Sequence, residues 1–237
     1  MRVFRGRAPS IERDREASRT LLSIAADGEP AVRVWTPHRQ VAFGRRDTRL
    51  EGYHRAREAA RERGFPPIER DVGGRAVAYD GETTLAFARA EPIADLRIGS
   101  TERYERATSA LEEALRSLGL EPIRGEPEES FCPGTHSLSV TDATADGRRQ
   151  RKVVGLAQRV RQDAALVAGI VLVANREAVT GVLEGVYDSL AVPLDAATVG
   201  TVADAGGPSE PAPVRSTIEN ALIGDATDVS AERIDGE

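Results

Sequence analysis

Short strand-like runs broken by proline and glycine turns, with amphipathic helices set between them, constrain this chain more than any other feature. Runs at 31–35 and 40–44 are separated by Pro37-His38-Arg39, and Gly73-Gly74 divides a run near 68–71 from one over 75–79. Further strands fit 83–88, 136–140, 152–160 and 170–173. Helices are predicted over 11–26, capped by Ser10, and over 53–63, ending at Gly64. The clearest helix runs over 102–118. There Thr101 is an N-cap candidate, Tyr104, Ala107, Leu111, Ala114, Leu115 and Leu118 form one apolar stripe, and Gly119 ends it. A later helix places Val179, Val182, Leu183, Val186 and Leu190 on one side. Residues 141–151 read as a polar loop, 203–213 as a linker, 214–223 as a short helix and 224–237 as an acidic tail. The pattern predicts an α+β fold with a central, largely antiparallel sheet flanked by helices.

Charge and composition narrow the function. A net charge of −6 and a pI near 5.3 oppose nucleic-acid binding, which needs clustered positive charge. No apolar run approaches the roughly 20 residues that span a bilayer, and Met1–Arg7 lacks the apolar core of a secretory signal. One cysteine, Cys132, forms no internal disulfide. The expectation is a cytoplasmic protein without a nucleic-acid or membrane partner. Among the 32 basic residues only Lys152 is lysine. Arginine serves wherever charge alone suffices, so the retained ammonium, compact and titratable, marks a candidate active-site group.

Three stretches carry candidate chemistry. In Glu69–Val77 the glycine pair Gly73-Gly74 is either an ordinary hairpin turn or a place where backbone amides approach an anionic ligand. In Lys152–Arg159 an uninterrupted strand would put Lys152, Val154, Leu156 and Gln158 on one face, with Gly155 allowing a close approach. The plain alternative is a strand with a charged end near a cleft. In Phe131–His136 the pair Cys132 and His136 is either a thiolate with its base or an inert thiol and a loop histidine. Cys132, His38, His54 and His136 show no metal-ligand spacing, and the common phosphate loops are absent, so no metal site is expected.

Taken in order, Trp35–Gly44 with its Val-Ala-Phe-Gly-Arg-Arg-Asp, Arg70–Val77 and Lys152–Arg159 resemble the catalytic domain shared by biotin and lipoate protein ligases and octanoyltransferases. The resemblance spans about 10–190 and implies a fold like that of biotin ligases and class II synthetases. It divides the chain into a catalytic domain over 1–190 and a small helical appendage with an acidic tail over 191–237. It implies attachment of lipoate or octanoate to a lysine of a lipoyl domain of a 2-oxoacid dehydrogenase complex or of glycine cleavage H protein. Lys152 is the expected catalytic group, with Arg70, Gly73, Gly74, Arg75, Ala76, Gly155, Ala157 and Gln158 binding substrate. The first expectation is an acyl-adenylate route using ATP and Mg. The alternative is a cofactor-free transferase with Cys132 as acyl-enzyme nucleophile, and a third reading is a non-catalytic acyl-binding module. Two positions depart from the family pattern: Ala168-Gly169 stands where His-Gly is common, and Val72 where Ser or Thr is usual.

Overall fold

The computed structural model describes residues 1–70, 72–93, 99–144 and 147–234. In chain order its elements are β1 (Arg2–Arg5), α1 (Ile11–Ala26), β2 (Ala31–Trp35), β3 (Gln40–Phe43), α2 (Tyr53–Glu62), β4 (Pro67–Glu69), β5 (Val77–Tyr79) and β6 (Thr84–Pro92). They continue as α3 (Ser100–Ser117), β7 (Ile123–Arg124), β8 (Leu138–Thr144), β9 (Gly147–Val160), β10 (Ala164–Leu172), α4 (Arg176–Ser189), α5 (Pro211–Ile223) and β11 (Ser230–Arg233).

An eight-stranded sheet in the order β11-β1-β2-β6-β10-β9-β8-β7 forms the body, and a three-stranded sheet β4-β3-β5 lies apart from it. Among the described residues of the large sheet only the two strand pairings of β1 are parallel, so the α+β class with a largely antiparallel sheet holds. The elements follow from local chemistry. Ser10 accepts the Arg13 amide at 3.3 Å and starts α1, whose Leu21, Leu22, Ile24 and Ala25 are buried. Along α3, Leu111 and Leu115 are fully buried, each worth roughly 1.5–3 kcal/mol relative to exposure. Val214, Ile218 and Leu222 of α5 enter the same cluster as Val32, Leu85 and Leu115. A second cluster joins the small sheet to α2 and α4, and a third lies beneath α1.

Several elements differ from expectation. The run read as a loop over 141–151 is mostly ladder: Val140 pairs Arg151, Thr141 pairs Gln150 and Thr144 pairs Gly147, with 145–146 outside the described residues. Cross-strand pairing carries the ladder through the Asp and Gly positions there, whose own strand propensity is low and masks that of Thr141 and Thr144 in the sequence. The predicted strand near 68–71 ends at Glu69, and Asp71 also lies outside the described residues. Helix α3 starts at Ser100 behind Gly99, whose φ of +98° places it in the left-handed region, rather than behind Thr101. The short strands β1, β7 and β11 carry too few residues for an alternating pattern to be read.

Candidate active site

The loop between β7 and β8 holds Cys132 at an uncommon backbone angle, φ +42°. Each polar group of this residue is engaged. Its amide donates to Tyr187 Oη at 2.6 Å, its carbonyl accepts from Lys152 Nζ at 2.8 Å, and its Sγ receives Arg70 Nη2 at 3.0 Å and the Arg75 amide at 3.3 Å. Burial by itself would push the thiol pKa up. Arg70, then Lys152 and the Arg75 amide, outweigh it and hold the thiol below the ordinary cysteine value.

The glycine turn explains how these groups come so close. Gly74 has φ +98°, and a Cβ there would lie 2.4 Å from Arg70 Nη2 and 2.6 Å from Cys132 Sγ. Gly73 has nothing within 4 Å of such a carbon, so the two glycines differ in kind. Gly44 packs on the same turn: its added Cβ would fall 1.9 Å from the Gly74 carbonyl oxygen. Asp47, fully buried, accepts the Gly44 amide at 2.9 Å and braces Arg75 Nη1 at 3.2 Å. Burial raises the Asp47 pKa, against the hydrogen bonds from Gly44 and Arg75. Thus the Val-Ala-Phe-Gly-Arg-Arg-Asp and Arg70–Ala76 segments meet at the sulfur.

Lys152 is not at a charged strand end. It is fully buried on β9, and its ammonium donates to Glu126 Oε2 at 2.5 Å, to the Phe131 carbonyl at 2.9 Å and to the Cys132 carbonyl, which uses all three protons. Burial lowers its pKa, with Cys132 and Glu126 pulling the other way. Its expected face is also corrected. Between β8 and β9 the register jumps from Leu138↔Val154 to Ser139↔Lys152, a bulge that makes Val153 the extra residue. Val153, Val154 and Leu156 therefore join one core cluster, while a Cβ on Gly155 would touch Lys152 Cε at 3.4 Å. Lys152 shares its face with Gly155, not with Val154 and Leu156.

Beside the thiol lies a largely apolar cleft, open to solvent, of about 1080 Å³ counted together with the solvent space at its mouth. The large sheet supplies a floor of small side chains: Ala86 beside Ile170 and Gly155 in one cross-strand row, Ala88 beside Ala168 and Ala157 in the next. The small sheet supplies the facing wall, where Gln40 pairs Tyr79 and Ala42 pairs Val77. Burial pushes the Tyr79 phenol up to about 12, against the nearby Arg70. Gly169 lets the strands close: a Cβ there would collide with the Gly155 carbonyl and the Phe87 ring.

Of the substrate-binding residues expected from the sequence, Arg70, Gly155 and Ala157 line this cleft with Cys132. Gly74, Arg75 and Ala76 stand around the thiol and the backbone that holds it, and exposed Gly73 faces open space. Gln158 is turned elsewhere: its amide bonds the hydroxyl and carbonyl of Ser100 and fastens the start of α3. His136 does not serve Cys132 as a base. It stacks on Tyr104 at 4.2 Å and faces Glu105, because four residues of loop carry the two side chains to different elements. Three participants had no local signal: Glu126, which also accepts the Gly134 amide and the Ser137 hydroxyl, Tyr187, and the buried Asp14–Arg33–Trp35 group beside the cleft. Among the described residues no three His, Cys, Asp or Glu side chains cluster as a metal site, and no helix is long and apolar enough to cross a membrane.

Residues 15–199 match the family described as the lipoyl protein ligase A/B catalytic domain. Similar curated proteins include an octanoyl-[GcvH]:protein N-octanoyltransferase of Geobacillus kaustophilus (strain HTA426), 30% identical over 131 residues, which are 55% of this chain and 46% of that protein. A lipoyl-[GcvH]:protein N-lipoyltransferase of Listeria monocytogenes is 26% identical over 132 residues, 55% of this chain and 47% of that protein. The chain spans about half the length of the curated relatives it matches. Among solved structures, lipoate-protein ligase A bound with ATP superposes with a TM-score of 0.72 at 18% identity, covering 100% of this chain and 88% of that one. The bi-partite lipoate protein ligase of Thermoplasma acidophilum gives 0.67 at 17% identity, covering 100% and 86%. At these identities the likeness concerns the fold.

Proposed function

Because its match over residues 15–199 makes this chain a member of the lipoyl protein ligase A/B catalytic-domain family, we propose that it moves an octanoyl or lipoyl group between lysines of carrier proteins through a thioester on Cys132. The observation that carries this reading is the sulfur itself, held by Arg70 Nη2 and the Arg75 amide beside an acyl-sized apolar cleft. A thiolate is the attacking form, and paired positive charge favours it.

In the first half-reaction the Cys132 thiolate attacks the carbonyl carbon of an acyl-lysine on the donor, forming a C–S bond. The C–N bond breaks, and the departing lysine nitrogen takes a proton from water at the mouth of the cleft. In the second, the neutral amine of the acceptor lysine attacks the thioester, its proton returns to water and the C–S bond breaks to restore the thiolate, while Lys152 keeps its three bonds and holds the loop that carries Cys132. In this reading the donors that bond the sulfur, the Arg75 amide and Arg70, also receive the charge that develops on the acyl oxygen. Fixed donors of this kind are worth about 2.7–4 kcal/mol in acyl-transfer enzymes. Donor and acceptor belong to the class of glycine cleavage H protein and the lipoyl domains of 2-oxoacid dehydrogenase complexes, in keeping with the names of the similar transferases.

An acyl-adenylate route, using ATP and Mg, would ask Lys152 to face a phosphate. Its three protons are committed to Glu126 and to two carbonyls of the Cys132 loop, so the arrangement favours the thioester. The test incubates the protein with octanoylated H protein and measures intact mass. We expect one octanoyl adduct on Cys132, absent in Cys132→Ser. Pyrophosphate release from ATP with free octanoate, and full transfer by Cys132→Ser, would establish the adenylate route instead.

A further inference from the structure

Tyr187 lies in α4, 55 residues from Cys132 in sequence, and is fully buried. Its hydroxyl accepts the Cys132 amide at 2.6 Å and donates to the Ala76 carbonyl at 3.0 Å. Burial, and then the neighbouring Cys132, raise its pKa well above that of a free phenol, so the proton needed for the bond to Ala76 stays in place. We propose that Tyr187 is the positioning residue of the nucleophile, a single hydroxyl that fastens the Cys132 loop to the Arg70–Ala76 segment and so fixes the sulfur against Arg70 and the Arg75 amide.

The backbone of Cys132 explains why such a fastener is needed. A non-glycine residue at φ +42° is disfavoured by roughly 1–2 kcal/mol, and Glu129 in the same loop, at φ +54°, adds to the strain. Left to itself the loop would relax to negative φ and swing the side chain away. Strained residues persist where the surroundings over-determine them. Here Lys152 holds the Cys132 carbonyl from β9, and Tyr187 holds its amide from α4, so the peptide units on both sides are pinned. The second bond of Tyr187, to Ala76, joins that pin to the segment carrying both sulfur donors. Apolar packing alone would not specify the rotation of the loop, because it lacks direction. A hydroxyl bonded on both sides specifies it.

This inference takes Cys132 as the nucleophile from the proposed function, but its test reads the thiol directly. The charged and titratable groups around the sulfur are Arg70 after β4, Tyr79 on β5, Tyr104 on α3, Lys152 on β9 and Tyr187 itself, while Arg75 offers it a neutral backbone amide and turns its guanidinium to Asp47. Tyr187→Phe keeps the ring and removes the oxygen. Iodoacetamide alkylation of Cys132, followed across pH by intact mass, should then move to higher pH because the sulfur no longer sits against its donors. Acyl transfer should fall about 10- to 100-fold, the scale set by misplacing a reacting group. Leu183→Ala, a core truncation in the same helix, should lower the melting temperature and leave the alkylation profile in place. An unchanged profile in Tyr187→Phe, or an equal shift in Leu183→Ala, overturns the proposal. Should Tyr187→Phe not fold, hydrogen exchange in the parent protein decides: the Cys132 amide should be strongly protected, and exchange at the rate of an open loop overturns the assignment. If the profile shifts while no acyl adduct forms, Tyr187 positions the thiol and the thioester mechanism is what fails.

Discussion

The two halves of the site are built by opposite means. At the thiol, three side chains and one backbone amide from three separate segments point hydrogen bonds at one residue, and even the backbone of Cys132 is held at both ends. Along the cleft the floor is made by leaving side chains out: Ala86, Ala88, Ala157, Ala168 and Gly155 clear a trough over a sheet whose strands close tightly at Gly169. Under the proposed mechanism the thiol end needs direction, which hydrogen bonds supply. The binding end needs only volume and dryness, and an apolar chain rewards area removed from water at roughly 25 cal/mol per Å² whatever its exact contacts. Changes at the thiol should therefore act on rate in large steps, and changes in the cleft should act on affinity in small ones.

The largest effect is expected from Lys152→Arg. The wider planar head cannot occupy a fully buried site shaped for three bonds to an ammonium, and overpacking of this kind costs about 1–3 kcal/mol. Transfer should fall by roughly 100- to 1000-fold, as when a fixed donor is lost, and the melting temperature should fall with it. An assay with a lipoyl domain beside a melting curve checks both, and near-parent turnover would remove Lys152 from the reacting end.

The glycine pair offers a sharper contrast within three bonds of chain. Gly74→Ala puts a carbon into contact with Sγ and Arg70 at a φ that L residues avoid, so alkylation of Cys132 should slow and stability should drop by about 1–2 kcal/mol. Gly73→Ala, facing open space, should match the parent in both measurements. Equal behaviour of the two variants would make the turn a plain hairpin.

In the cleft, Ala168→Leu fills part of the floor and should raise KM for an octanoylated donor by about tenfold, the scale of 1.4 kcal/mol, while alkylation of Cys132 keeps its pH dependence. Loss of kcat at unchanged KM would mean that the two ends are not separable in this way. The smallest effect belongs to Gln158→Ala. Its partner is Ser100 on the surface side of α3, so stability should change by no more than about 0.5 kcal/mol and transfer should stay at the parent rate. A tenfold rate loss there would return Gln158 to the substrate.

Much of this architecture was legible along the chain. The cap at Ser10, the apolar stripe that became α3, and the proline and glycine breaks between strands are local signals, and the α+β arrangement followed from them. Lys152, alone among 31 arginines, and the glycines at 73–74 pointed to segments that the fold brings together around Cys132. The sequence determined that these residue types exist there, because a lone lysine among arginines and a left-handed backbone angle both leave marks on one-dimensional text. Only the tertiary structure decided what they face. The bulge at Val153 depends on how β8 pairs with β9, so the face of Lys152 reverses through a partner strand that the segment itself does not contain. Gly73 and Gly74 look alike until Cys132 arrives against one of them. His136 lies four residues from Cys132 yet stacks on Tyr104, whereas Tyr187 lies 55 away and bonds its amide. Periodicity reports which side of an element is apolar, but a hydrogen bond between distant segments is set by where the completed sheet and helices place their ends, and no local pattern encodes that distance.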